Sequence, residues 1–294
     1  MNCLARRYRV MYFYVAFFLI FGGNISFAKD ILDPARAIGL APHKALYDVR
    51  LSSKKSGSNI TNISGTMFYE WQPGCDAWLS NHRFDMVYEY PEVPAVRITS
   101  DFSTHEAFDG NSFNFTMQRK RKREGVLYEE IRGSVNKDNE NDDGEVVYSI
   151  PKGVSFHLPE GSLFPMAHTI SVLDKIKQGK KFYNATIFDG SDENGPVDVN
   201  SFIVGKQAYK PLEEYVPHID NNLILDTAWN VQLAFFPLNN LEEVADYEMS
   251  LVLLENGVIT GMDINYKDFS ITQNLRALEP MSDACVSEEI GDVQ

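Results

Sequence analysis

Apolar and polar residues alternate with period two along most of this chain. Ala45, Tyr47, Val49 and Leu51 interleave with charged or polar neighbours, and Ile63, Gly65, Met67, Tyr69 and Trp71 do the same. Phe84, Met86, Tyr88 and Tyr90 follow, then Phe113, Phe115 and Met117. A period of two sends successive side chains to opposite faces of a strand, so each segment predicts a half-buried β-strand. Towards the C-terminus, Tyr247, Met249, Leu251 and Leu253 lead through Glu255-Asn256-Gly257 into Val258, Thr260, Met262, Ile264 and Tyr266. Asn-Gly supplies the positive φ angles that a tight turn demands, so this pair predicts a hairpin. About a dozen short strands without interleaved helices predict an all-β chain, an antiparallel barrel or strongly curved sheet that hides its edges by closing.

One segment departs from this rhythm. Met166, Ile170, Leu173 and Ile176 recur at helical spacing, with Pro165 at the start and Gly179 past the end. Pro in the first turn and Gly beyond the last are normal helix punctuation. A lone amphipathic helix in an all-β chain is expected to cap or plug the sheet; its alternative role is a gate over a cavity.

The first residues read as an export signal rather than as part of the fold. Arg6, Arg7 and Arg9 precede an uncharged apolar run from Val10 to Phe21, which is too short to span a bilayer. Ser26-Phe27-Ala28 supplies the small residues a signal peptidase needs, so residues 1–28 are expected to be a signal peptide cleaved after Ala28. An uncleaved anchor is the competing reading. Residues 29–294 hold no long Pro-, Gly- or Ser-rich linker and are expected to form one domain.

Export changes the reading of the cysteines. Cys3 leaves with the signal; Cys75 and Cys285 remain, without Cys-x-x-Cys or metal-like spacing. In an oxidising compartment such a pair reads as one structural disulfide, against the rival of two unpaired buried thiols. Removing three signal arginines from 27 basic residues leaves 24 against 41 acidic ones, a net charge near −17. That balance argues against nucleic acid as a partner, because phosphate contacts need surplus Lys and Arg.

Candidate chemistry is sparse. The six histidines, at 43, 82, 105, 157, 168 and 218, form no metal-binding helical pair, so no metal or cofactor is expected. No nucleophile elbow, Walker loop or dinucleotide fingerprint occurs. His157 and His168 flank the helix start and could meet, and carboxylates abound, but nothing selects a catalytic set. Asp138 to Glu145 fits a calcium loop only in part and reads as a solvated turn. Arg119, Lys120, Arg121, Lys122 and Arg123 form a basic run in an acidic chain. It reads either as a charged strand end that resists edge pairing or as a dock for anionic partners such as lipid head groups.

Several blocks, in order, resemble the envelope-integrity EipB family of periplasmic proteins from Gram-negative bacteria. They are His43-Lys44-Ala45-Leu46-Tyr47, Gly65-Thr66-Met67, Cys75-Asp76-Ala77-Trp78, Leu158-Pro159-Glu160-Gly161 with Phe164-Pro165 and His168, and Phe188-Asp189-Gly190. Trp229 with Ala234-Phe235-Phe236, Tyr247-Glu248-Met249, Glu255-Asn256-Gly257-Val258 and the late Cys285 complete the set. The resemblance implies a long many-stranded antiparallel sheet wound into a spiral or broken barrel, similar to periplasmic lipoprotein carriers. It also implies a disulfide between Cys75 and Cys285, and periplasmic helical-repeat proteins as partners. The Asn136 to Glu145 stretch looks inserted relative to the family.

The function expected from these readings is non-catalytic maintenance of the cell envelope from the periplasm, by binding a lipid, lipoprotein or envelope protein in or on the curved sheet. Expected ligand contacts are Phe164 and Met166 on the helix, with Phe113, Phe115, Trp229, Phe235 and Phe236 on the sheet. An interaction scaffold for helical-repeat proteins is the alternative, and a cell-wall hydrolase the third reading.

Overall fold

Alternation carries through into strands longer than the pattern suggested. The computed structural model describes residues 39–122, 126–238 and 244–282. The expected signal segment, Arg123 and Cys285 lie outside them. Among the described residues there are fourteen strands: β1 (His43–Lys54), β2 (Asn62–Pro73), β3 (Ala77–Tyr90), β4 (Val93–Ala107), β5 (Ser112–Lys122), β6 (Val126–Lys137), β7 (Gly144–Ile150) and β8 (Ser155–Leu158) precede the helix α1 (Pro165–Lys177). After it come β9 (Phe182–Ile187), β10 (Val197–Ala208), β11 (Thr227–Pro237), β12 (Tyr247–Leu254), β13 (Ile259–Asn265) and β14 (Phe269–Pro280). No helix among the described residues is long and apolar enough to cross a membrane.

All fourteen strands join one antiparallel sheet in the order β8-β7-β6-β5-β4-β3-β2-β1-β14-β13-β12-β11-β10-β9. Neighbours in the sheet are neighbours in sequence except where β1 pairs with β14, from His43 opposite Pro280 to Lys54 opposite Phe269. The expected Asn-Gly hairpin joins β12 to β13, with Gly257 at φ 87°.

The sheet does not close, which corrects the expectation of a ladder without edges. Its terminal strands β8 and β9 share no ladder. β8 spans only four residues and runs straight into Pro159, which has no N–H to donate, so it offers little for β9 to pair with. Leu163, just past β8, bridges to the edge strand β9. Leu163 donates its N–H to the Thr186 carbonyl at 2.9 Å and accepts from the Phe188 N–H at 3.0 Å. The broken-barrel form therefore holds, with the helical connection crossing from one edge to the other.

Helix α1 starts at Pro165 as its sequence demands, but Phe164, at the capping position, has no side-chain oxygen to give. A strand residue supplies the missing cap. The Glu106 carboxylate of β4 accepts the N–H groups of Met166 and Ala167, each at 2.8 Å, and its charge suits the positive end of the helix dipole. Met166, Val172, Leu173 and Ile176 bury the inner stripe in the main core with β1, β2 and β9–β14, while Ile170 packs half-buried at its edge. A second, smaller core gathers β5–β8 around Phe164 and Phe188.

Candidate functional site

The inward face of β5 and β6 changes character along its length. Their register pairs Phe113 with Val135, Phe115 with Gly133, Met117 with Ile131, Arg119 with Glu129 and Arg121 with Leu127. Since every second residue shares a face, one strand carries aromatics at one end and two arginines at the other.

The aromatic end is solid. Phe113 stacks on Phe164 with ring centres 4.8 Å apart, and Phe115 meets Phe188 edge-on at 5.4 Å. None of these four rings is more than 2% exposed. The fit leaves no room for a methyl group on the facing strand: a Cβ on Gly133 would sit 2.4 Å from the Phe115 ring.

The other end is hollow. A cavity of about 660 Å³ lies between the sheet and the helix, within the range of small-molecule sites. Val49, Met67, Met86, Met262, Ile264 and Ile271 form its apolar wall together with the rings of Tyr69, Phe84, Tyr88 and Tyr266, and Pro165, Met166 and Thr169 of α1 form its floor. His82 also faces it, with burial pushing its imidazole down to about 4, so it is neutral near pH 7. Gln273 is 1% exposed, and its Oε1 has no hydrogen-bond partner among the described residues. A donor on an occupant would satisfy it.

Arg119 and Arg121 stand where the cavity opens. Ile98, Arg121 and Leu127 line both this cavity and a more open hollow beside it, whose wall includes Val93 and Val126. Val93, Val126 and Leu127 are 41%, 63% and 55% exposed, an apolar rim open to solvent. Arg119 lies 3.4 Å from Glu129, while Arg121 makes no ion pair with any described residue. The basic run is thus divided by the pleat: Lys120 and Lys122 take the opposite face from Arg119 and Arg121.

Of the seven expected ligand contacts, Met166 is the one that lines the cavity. Phe113, Phe115 and Phe164 belong to the solid cluster. Trp229 donates to Glu255 at 3.0 Å beneath the Lys206 ammonium, Phe235 stacks on Tyr247 at 4.3 Å, and Phe236 is half-buried. His168 is buried with Nε2 3.3 Å from Ser201 Oγ, whereas His157 is exposed beside Asp143. Asp138–Asp143 forms the turn between β6 and β7. Sequence reasoning missed Glu106, and it singled out Arg119 and Arg121 only as members of the basic run, not as residues that line a cavity. Their inward position was within reach, because the alternation of Phe113, Phe115 and Met117 extends to positions 119 and 121.

The expected disulfide falls partly outside the described residues, since Cys285 does. Cys75 lies in the turn between β2 and β3. His43 of β1 faces Trp71 near the end of β2 and Pro280 at the end of β14, so these strand ends lie at one rim, about 10 Å apart across two strand spacings.

Comparison with known proteins agrees with this architecture. The EipB-like family pattern matches residues 34–282. The cell envelope integrity protein EipB of Brucella abortus is 30% identical over 249 residues, covering 83% of this chain and 86% of that protein. A crystal structure of a β-barrel-like protein of domain of unknown function DUF1849, from Brucella abortus, superposes with a TM-score of 0.73 at 29% identity, covering 83% of this chain and 99% of that one.

Proposed function

The chain belongs to the EipB-like family, and from that premise we propose that it is a non-catalytic periplasmic protein that shelters the hydrocarbon part of an envelope amphiphile. The name of its Brucella abortus relative, a cell envelope integrity protein, supports the general role in the envelope. One observation carries the finer reading: the cavity of about 660 Å³, walled by methionine, aliphatic and aromatic side chains and open beside an apolar rim. Methionine suits such a wall because its unbranched thioether adapts to irregular contents.

Uptake of N-phenyl-1-naphthylamine, followed by its fluorescence and displaced by hexadecanol, tests this. Wild-type protein is expected to bind the probe, and Met262→Trp, which fills the cavity, to bind at least about tenfold more weakly while melting normally. A folded wild type that takes up neither compound would end the proposal.

Export through cleavage after Ala28 and a Cys75–Cys285 bridge complete the reading. The shared rim of the β2–β3 turn and the end of β14 supports the bridge. Thiol counting on denatured, unreduced mature protein is expected to find none. Two reactive thiols would remove the bridge.

A scaffold for periplasmic helical-repeat proteins is the second reading. It is favoured by the open edge at β9, where Phe182 is 75% exposed and stacks on Phe202 at 4.8 Å. Crosslinking in cells through position 182 is expected to trap a discrete partner if this edge is the dock.

A further inference from the structure

The chain carries a formal charge of −14, yet the cavity mouth presents two guanidinium groups and one carboxylate. An arginine on the inward face of a sheet is costly unless its charge meets water or a counter-ion. Arg119 meets Glu129 at 3.4 Å. Arg121 has the side chains of Ile98 and Leu127 opposite it on the neighbouring strands and no carboxylate partner among the described residues. It is exposed, so water solvates it, and it sits where the apolar wall ends. The arrangement fits a molecule with a hydrocarbon tail and a negative head.

Resting on the cavity reading above, we propose that the ligand is an anionic amphiphile, its carboxylate or phosphate bound by Arg121 at the mouth and its chain running over Met86 towards helix α1. The planar guanidinium fork matches both head groups with two parallel hydrogen bonds. Arg119 adds positive charge one step deeper, offset by Glu129. Lys120 and Lys122 contribute no contact, because the pleat turns them away.

Palmitate, hexadecyl phosphate and hexadecanol share one chain length and differ in the head, which separates the two claims. In displacement of N-phenyl-1-naphthylamine from the wild type, both anions are expected to compete about tenfold better than the alcohol. The anion that competes better identifies the head group. Arg121→Ala should bring both anions down to the level of hexadecanol and leave hexadecanol unchanged. Lys120→Ala removes the same charge from the opposite face and should change nothing.

Equal competition by all three compounds in the wild type would overturn the anionic head while leaving the cavity reading intact. A loss of anion binding in Lys120→Ala as large as in Arg121→Ala would overturn the site, since net charge alone would then explain it. No displacement by any compound would remove the cavity reading and this inference together.

Discussion

The two ends of the β5–β6 hairpin share strands, pleat and register, yet one is packed solid and the other borders a cavity. At the filled end Phe113, Phe115, Phe164 and Phe188 interlock, and glycine at 133 admits the Phe115 ring. At the hollow end, methionines and isoleucines share the cavity wall with Tyr69, Phe84, Tyr88 and Tyr266, and arginines line the exit. The rings of the first end touch one another, whereas the side chains around the cavity, aromatic ones included, do not meet at its centre. An aromatic residue on an inward face is therefore weak evidence for a ligand in this fold. Along β5 the pocket lies where Phe113 and Phe115 give way to Arg119 and Arg121, while on other strands Tyr69, Phe84, Tyr88 and Tyr266 share its wall.

The largest expected effect is at the filled end. Phe115→Ala removes a ring that is 2% exposed and touches Phe113, Tyr148 and Phe188. It should cost about 3–5 kcal/mol, measured by denaturant unfolding. A cost below about 1 kcal/mol would mean that this end is no better packed than the cavity.

Acidity probes both ends at once. Burial pushes His43, His82 and His168 down to about 4, so the unfolded chain binds more protons than the folded one between pH 6.5 and 4. That part of the stability is present above pH 6.5 and lost as the pH falls through the window. Burial acts oppositely on Glu106, raised to about 7 against its two backbone hydrogen bonds and nearby Lys137, and it also raises Asp189. For these carboxyls the folded chain holds the proton longer, so their contribution falls as pH rises, for Glu106 between 4.5 and about 7. The three histidines outnumber the two carboxyls, and net stability should fall on acidification below pH 6.5. Glu106→Gln should steepen that fall by about one proton, read from the pH dependence of unfolding free energy. An unchanged slope would show that Glu106 titrates alike in both states.

The smallest effect is expected inside the cavity wall. Gln273→Leu replaces a buried amide whose Oε1 lacks a partner among the described residues by an apolar chain of similar size. Stability should stay within about 1 kcal/mol of wild type or rise, because no hydrogen bond at that oxygen is lost. A loss of several kcal/mol would mean that the amide is held by the fold itself.

Much of the fold was legible because it is local. Alternation placed Tyr47, Val49, Met67, Met86, Phe113 and Phe115 on inward faces, where all are buried. Asn256-Gly257 marked its hairpin, and Pro165 with Gly179 bracketed the helix. The cap at the helix start was hidden, since Glu106 lies 60 positions before Met166 and no spacing rule links them. Strand lengths were underestimated, because polar strand ends such as Gln118 to Lys122 break the apolar pattern without breaking the ladder.

The sequence by itself determined that the chain forms strands, which side of each strand faces inward, where helix α1 begins, and that the molecule is acidic apart from one basic run. Those properties depend on residues two to four positions apart. Only the tertiary structure decided that the sheet stays open between β8 and β9, that Phe113 and Phe115 pack solid, and that Arg119 and Arg121 share the mouth of a cavity. Volume between facing strands depends on residues far apart in the chain, and a period-two pattern looks the same whether the opposite wall touches it or stands a molecule's width away.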